Sequence, residues 1–322
     1  MLRSVVVLLL IGITAGCSRN DATDDSADGP GRRDRTSALT SAAPTGTPSS
    51  GCGTHPATES VDAPPGDAVV TLGDRSYRLG IPADYDRDRP VPLVMNLHGS
   101  GSNALEQTTY SEMAARAGER GWITVTPDAI GGKWELAPTG ADDEFLTAVF
   151  DQVTAGYCVD LDRVHLTGMS LGAWKAAATA CAHADRFASM ALVTVEVHPS
   201  DCPPMSVVAF HGTADTVVPY GEGADPGVVV TGPNAGLPGA RGNIAQWASA
   251  AGCGAEPQVQ QIGTDVEHWT YPGCPDGRGV ELYSIEGGGH TWPGASIDIG
   301  PTTQTIDATD IALDWFEAHP RA

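Results

Sequence analysis

The chain has 322 residues, 41% of them hydrophobic, enough for one large α/β domain or two small ones with a sizeable core. Its formal net charge is −22, and Lys133 and Lys175 are the only lysines. That balance excludes nucleic acid and an anionic membrane surface as partners, because both require clustered cations.

At the N-terminus, Met1-Leu2-Arg3 precedes an apolar run, Val5 to Ile13, and then Ala15-Gly16-Cys17. The run is too short to span a bilayer and reads as a secretory signal over residues 1–17. Thr14-Ala15-Gly16-Cys17 also resembles a bacterial lipobox, which implies lipid on Cys17 and membrane attachment only through that anchor. Residues 18–50 are rich in Ser, Thr, Asp, Gly, Pro and Ala. They bury too little to offset chain entropy and read as a disordered tether. A single domain is expected over 51–322. Beyond Cys17, six cysteines in an oxidising compartment allow up to three disulfides. Cys253 with Cys274 is the favoured pair because the two bracket one local segment. Cys181 with Cys202 is the next candidate, and the pairing of Cys52, Cys158, Cys181 and Cys202 is open.

Val69–Leu72 and Tyr77–Gly80, joined across Gly73-Asp74, predict a β-hairpin. Pro92–Leu97 is a continuous apolar run, as expected of a central strand covered on both faces. It ends in the loop His98-Gly99-Ser100-Gly101. A helical stretch with Met113, Ala114 and Ala117 on one face follows, then a strand over Trp122–Thr126. A loop carries Gly131-Gly132-Lys133-Trp134. Phe145, Val149, Phe150 and Val153 set a helix over Asp142–Gly156, with acids in its first turn. Val164–Thr167 then meets Gly168-Met169-Ser170-Leu171-Gly172 and an alanine-rich helix, Ala173–Ala182. Further strands fall at Ser189–Val195, Val207–Phe210 and Val280–Ile285. Ile244, Trp247, Ala248 and Ala251 mark another helix, and Ala308, Ile311, Ala312 and Trp315 a closing amphipathic one. Strands alternating with helices predict a mostly parallel central sheet with helices on both faces and a site at the carboxyl ends of its strands.

Gly-x-Ser-x-Gly between a strand and a helix is the nucleophile elbow of the α/β-hydrolase fold, which makes Ser170 the candidate nucleophile. A serine hydroxyl needs a base, and the base an acid to hold its tautomer, in the chain order Ser, Asp or Glu, His. His290, in the glycine-rich loop after Val280–Ile285, is the candidate base. Asp215, past the end of Val207–Phe210, is the candidate acid, with Asp225 the alternative. The oxyanion needs two preorganised N–H donors: Leu171, next to the nucleophile, and Ser100, in the loop after the early strand. His98 reads as a structural support of that loop. Trp134 and Trp292 are candidates to line an acyl or aromatic pocket. No His/Cys/Asp cluster has metal-ligand spacing, and the chemistry calls for no cofactor.

Several separated motifs, His98-Gly99-Ser100-Gly101, Tyr157-Cys158-Val159-Asp160 with Arg163, Gly168-Met169-Ser170-x-Gly172, His211-Gly212-Thr213-x-Asp215 with Val218-Pro219-Tyr220, and Gly288-Gly289-His290-Thr291-Trp292-Pro293-Gly294, resemble the polyhydroxybutyrate depolymerase and feruloyl esterase family. The likeness runs from about Val69 to the closing helix. It implies a secreted α/β-hydrolase esterase acting on feruloyl, acetyl or hydroxyalkanoate esters, with Ser170, Asp215 and His290 as its triad. Leu171 stands where that family often has Asn or Ala, and Glu196-Val197-His198 replaces a small glycine-containing turn. Two other readings are a serine peptidase of the prolyl-oligopeptidase type and a catalytically inactive hydrolase-fold lipoprotein that binds ligands at the cell surface.

Overall fold

Strands buried on both faces have no polar face to offer solvent, and the middle of this chain is built of such strands. The computed structural model describes residues 46–54, 66–137, 139–221 and 238–321. The signal segment, Cys17, most of the tether and Asp225 lie outside the described residues.

Among the described residues ten strands form one sheet in the order β1-β2-β4-β3-β5-β6-β7-β10-β9-β8. The central block, β3 (Val91–Leu97), β4 (Ile123–Pro127), β5 (Val159–Met169), β6 (Ser189–Val193), β7 (Ser206–Gly212) and β10 (Val280–Ile285), is parallel throughout. Two antiparallel hairpins flank it: β1 (Gly66–Leu72) with β2 (Arg75–Ile81), and β8 (Gln258–Ile262) with β9 (Val266–Thr270). Alternation along each strand divides the core in two. Leu93, Met95, Leu97, Leu166 and Leu192 pack on one face with α3 (Ala141–Gly156), α4 (Leu171–Ala182) and α5 (Gly239–Ala251). Val94, Val193, Val208 and Phe210 pack on the other with α2 (Met113–Glu119) and α6 (Ala308–Ala318). This is the α/β-hydrolase arrangement that the alternation of elements predicts.

Three local outcomes differ from the expectation. The helical stretch after His98-Gly99-Ser100-Gly101 is two helices, α1 (Ala104–Ser111) and α2, separated at Glu112, whose φ is 52°. The predicted strand Ser189–Val195 stops at Val193, because Thr194 turns the chain at φ 65°. Residues 46–50, expected at the end of the tether, instead lie against β5: Ser49 Oγ donates to the Tyr157 carbonyl at 2.7 Å and accepts from the Val159 N–H at 3.0 Å.

Among the described residues three disulfides form: Cys52–Cys158, Cys181–Cys202 and Cys253–Cys274. The third is the favoured pair and the second the next candidate, each 21 residues apart, and the first ties residues 106 apart.

Candidate active site

Among the described residues, each candidate for the chemistry sits past the carboxyl end of a parallel strand. Ser170 follows β5 and precedes α4, with φ 57° and ψ −125°. A left-handed φ is costly for a serine and is kept only where surrounding structure imposes it. Here the Ser170 N–H is held by the Val193 carbonyl at 2.9 Å, while the Ser170 carbonyl accepts the first helical bond, from Trp174 N–H, at 3.1 Å. The glycines two residues to either side are required by close approach. A Cβ on Gly168 would stand 2.6 Å from the Gly172 carbonyl carbon, and one on Gly172 would stand 2.2 Å from the Leu97 carbonyl oxygen.

Leu171 is the first residue of α4. Because the helical ladder starts at Trp174, the Leu171 N–H belongs to the first turn, whose donors have no intrahelical acceptor. Ser100 lies across the elbow, on the loop after β3. That loop is braced by His98, which is fully buried. Its Nε2 accepts the Ala129 N–H at 3.0 Å, so Nδ1 carries the hydrogen and donates to the Gly99 carbonyl at 2.8 Å. Burial holds this imidazole below its usual pKa and keeps it neutral, in spite of the Gly99 bond. Gly101 N–H to the Gly132 carbonyl, 2.7 Å, ties the same loop to the one after β4.

The candidate base and the candidate acid meet directly. His290 Nδ1 lies 2.7 Å from Asp215 Oδ2, although 75 residues separate them. Loop-to-loop bonds bring the two together: Thr213 N–H to the Ile285 carbonyl at 2.8 Å and Ala214 N–H to the Gly288 carbonyl at 2.9 Å. Asp215 Oδ1 takes the N–H groups of Val217 and Val218 at 2.8 and 2.9 Å. Burial alone would raise this carboxyl. Hydrogen bonds from His211 and His290 outweigh it and hold Asp215 well below the usual carboxylate range.

Ser170, His290 and Ser100 line one cavity of about 480 Å³. Its remaining wall is largely apolar, with Leu105, Tyr110, Met169, Ile297 and Ile299. Leu105, Ile297 and Ile299 are 53%, 43% and 58% exposed and so form an apolar rim. The two tryptophans expected in a pocket wall are not part of it. Trp134 is buried, donates from Nε1 to the His98 carbonyl at 2.9 Å and packs against the His98 ring. Trp292 is buried beneath the His290 loop, with Nε1 on Thr309 Oγ1 at 2.9 Å and its N–H on Tyr110 Oη at 3.1 Å. Each fills space under a functional loop, so its apolar area faces the core. Among the described residues no group of His, Cys, Asp and Glu side chains is placed to hold a metal ion.

Sequence reasoning did not find the apolar lining residues, nor that Glu196 and His211 meet in a buried contact behind Asp215, with Nδ1 of His211 2.8 Å from Glu196 Oε2. An acid directly after the apolar run Ser189–Val195 was the one available signal.

No family model matches the chain. Feruloyl esterase B of Piromyces equi is 31% identical over 231 residues, which cover 67% of this chain and 42% of that protein. The chain therefore spans less than half the length of that relative. Probable feruloyl esterase C of Aspergillus clavatus is 31% identical over 199 residues, 58% of this chain and 69% of that protein. Among solved structures, an acetyl xylan esterase from Aspergillus awamori superposes with a TM-score of 0.56 at 17% identity, covering 78% of this chain and 99% of that one. A thermostable esterase does so at 0.52 and 15%, covering 79% and 63%. At those identities the structural likeness bears on the fold, and it agrees with the parallel sheet and elbow described above. With the sequence relatives at this level, the chain belongs to the feruloyl esterase and polyhydroxybutyrate depolymerase family of α/β-hydrolases.

Proposed function

We propose that this protein is a serine esterase that cleaves carboxylic esters through an acyl-enzyme, with Ser170, His290 and Asp215 as its triad. The observation that carries the reading is the 2.7 Å contact of His290 with Asp215 at the cavity that Ser170 lines. In this mechanism His290 takes the Ser170 proton as the hydroxyl attacks the ester carbonyl, and Asp215 orients the imidazolium. The oxyanion rests on the N–H groups of Ser100 and Leu171. His290 then protonates the leaving alcohol, and water releases the acid by the same steps in reverse. The largely apolar wall suits an aromatic or short aliphatic acyl group, so feruloyl and acetyl esters are the favoured substrates, with hydroxyalkanoate oligomers the further candidate. Three disulfides favour an oxidising compartment outside the cytoplasm. With the N-terminal apolar run they support an extracellular protein held by lipid on Cys17.

The test is hydrolysis of p-nitrophenyl acetate and methyl ferulate by wild type and Ser170→Ala. Wild type is expected to cleave both, and the variant to lose on the order of a million-fold in kcat, as when a triad nucleophile is removed. Comparable rates in the two proteins would reject Ser170 as nucleophile.

A further inference from the structure

Behind Asp215 lies a second pair of ionisable groups that the triad does not require. His211, on β7, is buried, and its Nε2 stands 3.5 Å from Asp215 Oδ2. Both its nitrogens face acceptors: Nε2 the Val218 carbonyl at 2.9 Å, and Nδ1 the Glu196 carboxylate at 2.8 Å. A backbone carbonyl has no proton to give, so Nε2 carries a hydrogen. Glu196 is itself 2% exposed, and its other oxygen takes Asn243 Nδ2 at 3.0 Å. An ionised carboxylate at that depth needs a cation against it. His211, in direct contact, supplies one when Nδ1 is protonated too.

The backbone is arranged to bring Glu196 there. Thr194, a β-branched residue, is held at φ 65°, its N–H on the Phe210 carbonyl at 2.8 Å. The chain thereby leaves the sheet two residues before Glu196, whose own carbonyl is fixed by Trp247 Nε1 at 2.9 Å. Strain of this kind in a buried β-branched residue persists where the neighbouring structure depends on it. Among the described residues, the other ionisable groups about His211 are Tyr220, whose ring meets the imidazole at 5.5 Å, and Arg241, which donates to the Tyr220 hydroxyl.

We propose that Glu196 and His211 are positioning residues of the catalytic acid: Glu196 keeps His211 doubly protonated, and that fixed cation keeps the Asp215 carboxylate ionised and aimed at His290. The inference rests on the triad reading above. Charges then alternate along the row Glu196, His211, Asp215, and the alternation extends to His290 once it has taken the Ser170 proton. No proton moves along the row beyond His290. Burial opposes a charge on His211, but the Glu196 charge and the hydrogen bonds to both carboxylates prevail and push its pKa up to about 10. Charge on His211 also moderates how strongly Asp215 draws a proton onto its neighbour, so losing that charge moves the acid limb of the rate profile to higher pH.

Glu196→Gln is the discriminating variant. The amide can accept from Asn243 and donate to Nδ1 of a neutral His211, whose Nε2 hydrogen stays on Val218, so every bond is kept and only the charges go. The kcat/KM profile of p-nitrophenyl acetate is expected to shift its acid limb upward by about one pH unit, seen as an about ten-fold loss on the acid side. KM stays near wild type, since Glu196 does not line the cavity. A merely structural role would lower the melting temperature and leave the limb in place. An inactive Ser170→Ala together with a Glu196→Gln profile superimposable on wild type would overturn the proposal and leave the triad standing. Full activity in Ser170→Ala would instead remove the triad, and this inference with it. Side-chain nitrogen NMR of the wild-type protein gives an independent reading: both His211 nitrogens are expected to be protonated at pH 8, and a bare Nδ1 would refute the assignment whether or not the variant folds.

Discussion

Gly172→Ala sets two physical effects against each other at the elbow. Gly172 is the second residue of α4, where helix propensity alone favours alanine by about 1 kcal/mol. The added Cβ, however, would lie 2.2 Å from the Leu97 carbonyl oxygen and 2.5 Å from that of His98. Ordinary contact begins near 3.4 Å, so the backbone before the loop that carries Ser100, the proposed oxyanion donor, must retreat by roughly 1 Å. Those atoms have little room, because the His98 carbonyl also holds Trp134 Nε1 and the His98 ring is bonded at both nitrogens. Overpacking of this kind costs about 1–3 kcal/mol, which exceeds the propensity gain. A 1 Å error in a catalytic donor is worth about a hundred-fold in rate. The variant is therefore expected to melt at lower temperature and to lose about a hundred-fold in kcat/KM for p-nitrophenyl acetate. A Gly172→Ala protein as stable and as active as wild type would refute the claim that the close approach of α4 to the Leu97–His98 carbonyls shapes the site.

The disulfides should differ in their contribution to stability by loop length. Removing Cys52–Cys158, which closes residues 106 apart, is expected to cost about 4.8 kcal/mol on the chain-entropy scale, against about 3.3 kcal/mol for Cys253–Cys274, closing 21. Urea unfolding of the two double Cys→Ala variants checks this, and the reverse ranking would count against an entropic origin. Stability should also depend on pH through the buried row. The folded pKa of His211 is raised, from 6.5 to about 10, so its contribution is complete below 6.5 and is lost as pH rises through about 10. The Asp215 pKa is depressed, so its contribution is complete above the ordinary 3.8 and is lost on acidification below it. Melting temperatures from pH 3 to 10.5 should fall at both ends, and the alkaline fall should be smaller in Glu196→Gln. An equal alkaline fall in both proteins would assign that loss to other groups.

The parts of this protein that are encoded locally could be read from the chain itself. A turn that projects a serine needs glycines two residues to either side and a strand and helix around it, and Gly168-Met169-Ser170-Leu171-Gly172 states all of that within a few residues. The central strands announce themselves because burial on both faces demands unbroken apolar runs, as in Pro92–Leu97. Asp215 and His290 stood out because loops at strand ends are where a parallel sheet presents its side chains, and each pair of cysteines 21 residues apart brackets a single excursion of the chain. What stayed hidden depended on which distant element covers a given surface. The hairpin β8–β9 escaped because Gln258–Ile262 is a polar, exposed edge strand with no apolar alternation to betray it. Trp134 and Trp292 carry the composition of a pocket wall, yet the tertiary fold turns both beneath the loops they support. Glu196 and His211 are 15 residues apart, one past the end of β6 and the other near the end of β7, and nothing in either segment names the other. Their contact exists only once β6 and β7 lie side by side. Periodicity records how much of a side chain leaves water; the identity of the atom waiting for it is decided by packing across the sheet.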